Sequence, residues 1–308
     1  LHKICANLPA VLPPVLHYCA TYMRNPVLTF TDRGIFCPDG GFHIDPHRPV
    51  DRALFTHGHS DHARPGHGAC LATHAAAPVI RHRLRGVRLE GVGWGEALRI
   101  GGVTVSFHPA GHVPGSAQIR VARAGEVWVV SGDYKVEPDG LSEPFAPVRC
   151  DTFITECTFG LPLFRWRPNA AVMADIATWW QGNAAQGRPS LITAYALGKA
   201  QRIMAGLPGG IGPILTHGAV TATTQVLRDQ GYVLPETRAL TPDLPRDLLA
   251  RSLIIAPAAP AGMDWQAPLA GLVTAGASGW LAVRALRRQR GGGQGVVLSD
   301  HADWPGLL

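Results

Sequence analysis

The chain has 308 residues, enough for one large domain or two smaller ones, and 46% of them are hydrophobic, so a sizeable core is available. Gly 36 and Pro 26 are both high, which argues against a helical bundle and for short strands and tight turns. The formal charge of +6 suits a polyanionic partner, though basic composition alone is a weak sign, and no apolar run reaches the ~18 residues of a membrane span, so no membrane association is expected.

Residues 1–22 carry prolines at 9, 13 and 14 and lack the ordered segments of a signal peptide. Met23 then precedes Arg-Asn-Pro-Val-Leu-Thr-Phe, which reads as the start of a first strand, so residues 1–22 are expected to be a non-native or disordered leader. Short strands are expected at 27–31, 42–44 and 52–56, the last ending at a histidine cluster. Residues 87–131 alternate in the manner of antiparallel strands, most clearly at 103–107, 117–121 and 127–130, and 152–155 reads as a further short strand. The character then changes. Helical spacing at 170–181, 197–207 and 221–230 alternates with apolar strands at 191–194, 211–216, 252–257 and 272–274, followed by a helical run at 280–290. That alternation predicts a parallel sheet in a separate α/β unit. Gly291–Gly293 reads as a joint before a last strand at 296–299.

The six cysteines at 5, 19, 37, 70, 150 and 157 form no C-x-x-C pair, which points to a reducing compartment and a cytoplasmic location; Cys157 is expected to be a buried small hydrophobe.

The strongest chemical signal is Thr56-His57-Gly-His59-Ser-Asp61-His62. Four candidate ligands fall directly after an apolar strand, and imidazoles with carboxylates suit zinc or manganese. Alternate positions 57 and 59 can address one ion while 61 and 62 turn to a second. His112 lies in a glycine-rich loop after strand 103–107, and Asp133 in Ser-Gly-Asp-Tyr-Lys after 127–130, where a carboxylate can bridge two ions. Asp45 reads equally as a partner of this cluster or as a turn residue before Pro46. His43, His67, His74, His82 and His108 have no spacing argument, and His217 reads as a loop histidine.

This set, H-x-H-x-D-H, then an isolated His, then G-D-Y, resembles the metallo-β-lactamase superfamily of hydrolases. The resemblance implies an αββα sandwich in which His57, His59 and His112 hold one divalent ion, Asp61 and His62 a second, and Asp133 bridges. Ile154-Thr-Glu156-Cys-Thr-Phe-Gly, Leu197-Gly-Lys-Ala-Gln-Arg202 and Leu298-Ser-Asp-His301-Ala-Asp resemble motifs of the β-CASP branch. They imply an inserted β-CASP α/β domain, with residues 23–160 as the first part of the sandwich, 161–293 as the insert and 294–308 as the return. The likeness extends to bacterial ligase-associated DNA exonucleases through Phe42-His-Ile-Asp-Pro, His59-Ser-Asp-His-Ala-Arg-Pro-Gly-His67 and the segment Leu298–Gly306. A further family motif falls beyond Leu308, so the C-terminal end of the sandwich is expected to be truncated and the second metal weakly held.

By the same resemblance Asp61, Glu156 and His301 are catalytic. Glu156 orients His301, which contacts the scissile phosphate or protonates the leaving oxygen, as a near-neutral imidazole can. Lys135 and Lys199 are candidate phosphate contacts, as are Arg202 and the Arg284–Arg290 cluster; Ser278-Gly-Trp280 resembles a segment of DNA-type members. The expected function is a two-metal DNA exonuclease acting on single- or double-stranded ends, zinc first and manganese second, associated with a DNA ligase and a helicase. An RNA-processing nuclease is the alternative. A small-molecule hydrolase or a non-catalytic scaffold fits less well with the insert and the complete ligand set.

Overall fold

The computed structural model of the chain describes residues 25–258, 269, 271–283 and 294–308. The expected leader, the Arg284–Arg290 cluster and the glycine joint lie outside the described residues. Three sheets organise the rest. The first takes its strands in chain order: β1 (Thr29–Thr31), β2 (Gly34–Cys37), β3 (Phe42–Ile44), β4 (Arg52–Leu54), β5 (Ala69–Thr73) and β6 (Leu89–Val92). It begins as an antiparallel meander and turns parallel from β3 onward.

The second sheet runs β11-β10-β9-β8-β7, from β7 (Leu98–Ile100), β8 (Val103–Pro109), β9 (Ala117–Arg123), β10 (Glu126–Val130) and β11 (Thr152–Ile154). It is antiparallel except for β11, which pairs parallel with β10. Phe42, Ile44 and Leu54 of the first sheet share one buried core with Val105, Phe107 and Ile119 of the second. The two sheets therefore form a sandwich, with inward hydrophobes set by the two-residue strand period. Helix α1 (Ala77–Arg83) covers the outer face of the first sheet, packing Ala77 and Ile80 on Phe55 and Ala72. A short helix at Trp304–Leu307 follows the return, and Leu307 packs with Tyr134 and Ala302.

The third sheet is wholly parallel, in the order β14-β13-β15-β12-β16-β17: β12 (Ser190–Thr193), β13 (Ile214–Thr216), β14 (Arg238–Ala239), β15 (Leu253–Ala256), β16 (Val273–Ala277) and β17 (Gln294–Val296). Leu253-Ile-Ile-Ala256 is buried at every position, as a parallel strand covered on both faces requires. Helix α2 (Asn169–Ala185) leads into β12, and α3 (Lys199–Gly206) and α4 (Gly218–Asp229) connect the strands that follow. Trp180 of α2 is buried and donates its indole N–H to the Arg251 carbonyl at 3.0 Å. The architecture is the expected α/β sandwich with an additional α/β sheet.

Several local expectations need correction. The last strand ends at Val296 and pairs with β16 in the third sheet, so 294–296 continue that sheet instead of opening the return. Leu89–Val92 joins the first sheet in parallel with β5 and not the antiparallel series. Cys157 is exposed; like Cys37, Cys70 and Cys150 it is a free thiol.

Candidate metal centre

The chemistry-bearing side chains sit just past the C-terminal ends of strands from all three sheets. β4 delivers residues 57–62, β8 the loop with His112, β10 Asp133 and β11 Glu156; the chain after β12 brings Tyr195 and Leu197, and the chain after β17 brings His301. Open α/β sheets place ligand sites at such ends, where the backbone leaves the ladder and side chains can converge. Gly132 makes one approach possible: its φ is +56°, and a Cβ there would lie 2.6 Å from Thr56, too close for any larger residue.

One donor atom from each of His57, His59, His112 and Asp133 lies within 4.8 Å of all the others. The Nε2 of His57 is 3.0 Å from Nδ1 of His59, which is 3.2 Å from Nε2 of His112. The opposite ring nitrogens settle what these atoms carry. His59 Nε2 donates to the Leu197 carbonyl at 3.2 Å, and His112 Nδ1 donates to the Asp300 carbonyl at 2.7 Å. Thr56 gives its hydroxyl proton to Asp45 at 2.5 Å, so its oxygen accepts from His57 Nδ1 at 3.1 Å. In a neutral imidazole the other nitrogen is then a bare acceptor. Three lone pairs consequently face one another, an arrangement that repels unless a cation lies between them. The donor set fits a divalent ion.

Burial, with neighbouring imidazoles, lowers the His57 pKa well below its ordinary value; burial also lowers His59, and lowers His112 to about 3. All three are therefore held neutral, the form that binds metal. For Asp133 burial works upward, but His62, His57 and His112 outweigh it and the carboxyl falls well below its usual range.

A second group shares the same carboxylate. Asp133 Oδ2 is 3.6 Å from Nε2 of both His57 and His112, and 3.4 Å from Nε2 of His62. Asp61 reaches to 3.8 Å of that His62 nitrogen and is otherwise open, its side chain 71% exposed. His62 Nδ1 meets Asp45 at 2.7 Å; burial lowers the His62 pKa, but Asp45 and Asp133 outweigh it and carry it to about 11. Asp45, which sequence left between two readings, thus holds Thr56 and His62 together, and it does so from a left-handed backbone at φ 45°.

Glu156 and His301 form the remaining pair. Both Glu156 oxygens approach His301 Nδ1, at 3.0 and 2.9 Å, and Oε1 also accepts the Tyr134 N–H at 2.9 Å. Burial lowers the His301 pKa, but Glu156 outweighs it and the net shift is upward. The His301 ring stands beside His112, centroids 4.6 Å apart, and against Phe159 at 5.7 Å. Asp133, Glu156 and His301 also offer atoms within 4.8 Å of one another.

The proposed phosphate contacts fare differently. Lys135 is 2% exposed, its ammonium donates to the Glu137 carbonyl, and burial lowers its pKa. Lys199 is buried with its ammonium 3.5 Å from Asp300, and Arg202 is paired with Asp300 at 3.0 Å. These cations are committed to protein acceptors, because a buried charge without a partner is too costly to keep. Ser278 caps the turn Gly279–Ala282 by accepting the Trp280 N–H at 3.3 Å. His217 caps α4, accepting the Ala219 N–H at 3.3 Å.

Sequence reasoning did not find the carbonyls of Leu197 and Asp300, since a backbone acceptor leaves no residue-type signal. It also passed over Tyr195, which is 68% exposed with its ring centroid 5.8 Å from that of His59.

No family model matches the chain. A protein of Opitutus terrae named a probable DNA ligase is 30% identical over 279 residues, covering 89% of this chain and 27% of that protein. Ribonuclease TTHA0252 of Thermus thermophilus is 29% identical over 191 residues, 53% of this chain and 44% of that one. Cleavage and polyadenylation specificity factor 73 of Drosophila melanogaster is 25% identical over 189 residues, 50% of this chain and 27% of the other. The chain thus spans about a quarter to under half of these relatives. A crystal structure of a protein of unknown function from Enterococcus faecalis V583 shares the fold, with a TM-score of 0.52 at 10% identity over 82% of this chain and 70% of that one. Relatives of this kind, read with a parallel sheet that lies between the ligand loops and His301 in the chain, lead to one assignment: the chain belongs to the metallo-β-lactamase superfamily, in its β-CASP branch.

Proposed function

We propose that this chain is a metal-dependent DNA exonuclease that hydrolyses phosphodiester bonds at the centre around Asp133. The observation that carries the reading is the meeting of three lone-pair imidazole nitrogens with the Glu156–His301 pair across the His112 ring. Residues His57, His59, His112 and Asp133 would hold one ion, and Asp61 and His62 with Asp133 a second, zinc by donor type with manganese as the alternative. When bound, such ions polarise a phosphoryl oxygen and make water nucleophilic near neutral pH. Glu156 fixes the His301 proton on Nδ1, and the protonated ring donates to the departing oxygen. Asp61, open at the rim, completes the second set. The exposed face of Tyr195 beside His59 suits an unstacked base next to the scissile phosphate.

DNA is favoured because a relative matched over most of the chain is named a probable DNA ligase, which also supports work beside a ligase. A second reading, cleavage of RNA, is supported by the relatives named ribonuclease and endoribonuclease. Among the described residues no helix is long and apolar enough to cross a membrane. The test is incubation with end-labelled single- and double-stranded DNA and RNA, with zinc or manganese. Progressive shortening of DNA, stopped by chelator, is expected. Cleavage of RNA with DNA left intact would move the assignment to the second reading.

A further inference from the structure

Two of the three imidazoles around the cluster are oriented from outside the sandwich. His59 donates to the Leu197 carbonyl, just before α3, and His112 to the Asp300 carbonyl, just after β17. The Asp300 carbonyl is held in turn by its own side chain. That carboxylate is 3% exposed and meets Arg202 Nη1 at 3.0 Å and Lys199 Nζ at 3.5 Å, both on α3. Arg202 also donates to the Ser299 carbonyl at 2.6 Å and to Asn169 at 3.0 Å. Burying three charges carries a desolvation penalty that a packed apolar trio avoids. Packing alone therefore does not account for the trio. What it does secure is the place of one carbonyl relative to α3.

The contact is also tight. Gly198, at φ +87°, lies so close to the His112 loop that a Cβ there would fall 2.2 Å from Val113. A Cβ on Gly58 would meet Leu197 at 3.1 Å. The start of α3 is thus wedged against both ligand loops, and a shift of α3 would move both carbonyls at once.

We propose that Asp300, anchored by Lys199 and Arg202, is a positioning residue for the metal centre, so that metal affinity depends on how α3 holds the Asp300 carbonyl against His112. The proposal rests on the reading of His57, His59, His112 and Asp133 as ligands. Partners that orient a ligating imidazole commonly change metal affinity ~10–100-fold when removed. Coupling between two equilibria is reciprocal, so metal binding must also tighten the seat of α3.

The experiment measures zinc affinity of the full chain by competition with a chromophoric chelator, alongside amide exchange over residues 195–206. Asp300→Asn keeps the carbonyl and removes the anchor; Arg202→Lys is a milder change that keeps the charge. Tyr232→Phe is the control, since it removes a contact of this unit with the sandwich that does not involve α3 or Asp300, the Tyr232–Glu143 hydrogen bond of 2.5 Å. Expected is an affinity loss of ~10–100-fold in Asp300→Asn, a smaller loss in Arg202→Lys and none in Tyr232→Phe. Zinc should slow exchange at 195–206 in the wild type and much less in Asp300→Asn. If Asp300→Asn does not fold, Arg202→Lys decides. Wild-type affinity in folded Asp300→Asn or Arg202→Lys, or an equal loss in Tyr232→Phe, overturns the proposal. A wild-type chain that takes up no zinc or manganese overturns the ligand reading beneath it.

Discussion

Glu156 and His301 are 145 positions apart in the chain, yet the histidine Nδ1 lies 2.9 Å from one carboxylate oxygen and 3.0 Å from the other. The pair joins the end of β11 in the sandwich to the segment that follows the last strand of the third sheet. A carboxylate on Nδ1 fixes the proton there and leaves Nε2 to act outward.

His301→Ala is expected to lower turnover ~10²–10⁴-fold, the usual range for general acid catalysis, with substrate affinity and zinc content near wild type. Glu156→Gln is expected to give a smaller defect, and the double variant should be no worse than His301→Ala, because the two act as one unit. Steady-state kinetics paired with metal analysis checks this. Loss of an ion in His301→Ala would make the histidine a ligand.

Asp133→Ala and His59→Ala are each expected to abolish cleavage while leaving circular dichroism close to wild type. Asp133 faces both ligand groups, so its loss should reduce metal content more than loss of His59. Wild-type cleavage by Asp133→Ala counts against the assignment of the centre.

Asp45→Asn tests the support beneath His62. Asn tolerates the left-handed backbone at this position, so the change is aimed at the side chain alone. Affinity for the ion on the His62 side should fall ~10–100-fold, with the His57–His59–His112 ion retained. Two-step metal titration distinguishes this from uniform weakening.

Tyr195→Ala should weaken binding of single-stranded DNA by roughly 5–150-fold, from ~1–3 kcal/mol per stacked base, and Tyr195→Phe should keep it. Fluorescence anisotropy gives the affinity. Equal binding by Tyr195→Ala removes the ring from the substrate path. In the same assay Lys135→Met should leave the salt dependence of binding unchanged, because its ammonium is spent on the Glu137 carbonyl.

The ligand string at 57–62 was legible because its chemistry is contiguous, and the all-parallel third sheet because strand–helix alternation admits little else. Strand β5 and helix α1 were not. Ala69-Cys-Leu-Ala-Thr73 has no alternation to read, and Ala77–Arg83 is too short to establish a helical period. Lys135 and Lys199 looked like phosphate contacts because nothing local reveals an acceptor. The acceptor of Lys199 is Asp300, about a hundred positions on, and only folding brings them together. The bond from His112 to a backbone carbonyl is silent in sequence for a different reason: any residue at 300 could supply it.

That bond spans 188 positions, and this separation has a temporal meaning. A ribosome adds ~5–20 residues per second, so His112 waits about 10–40 s after its own synthesis before its acceptor exists. His301 comes off the ribosome immediately after that acceptor. A nascent chain therefore carries the histidine-rich loops long before it can orient them, and the group proposed to release the leaving oxygen is made only after that acceptor. The centre proposed for cleavage is thereby incomplete until residue 301 has been made.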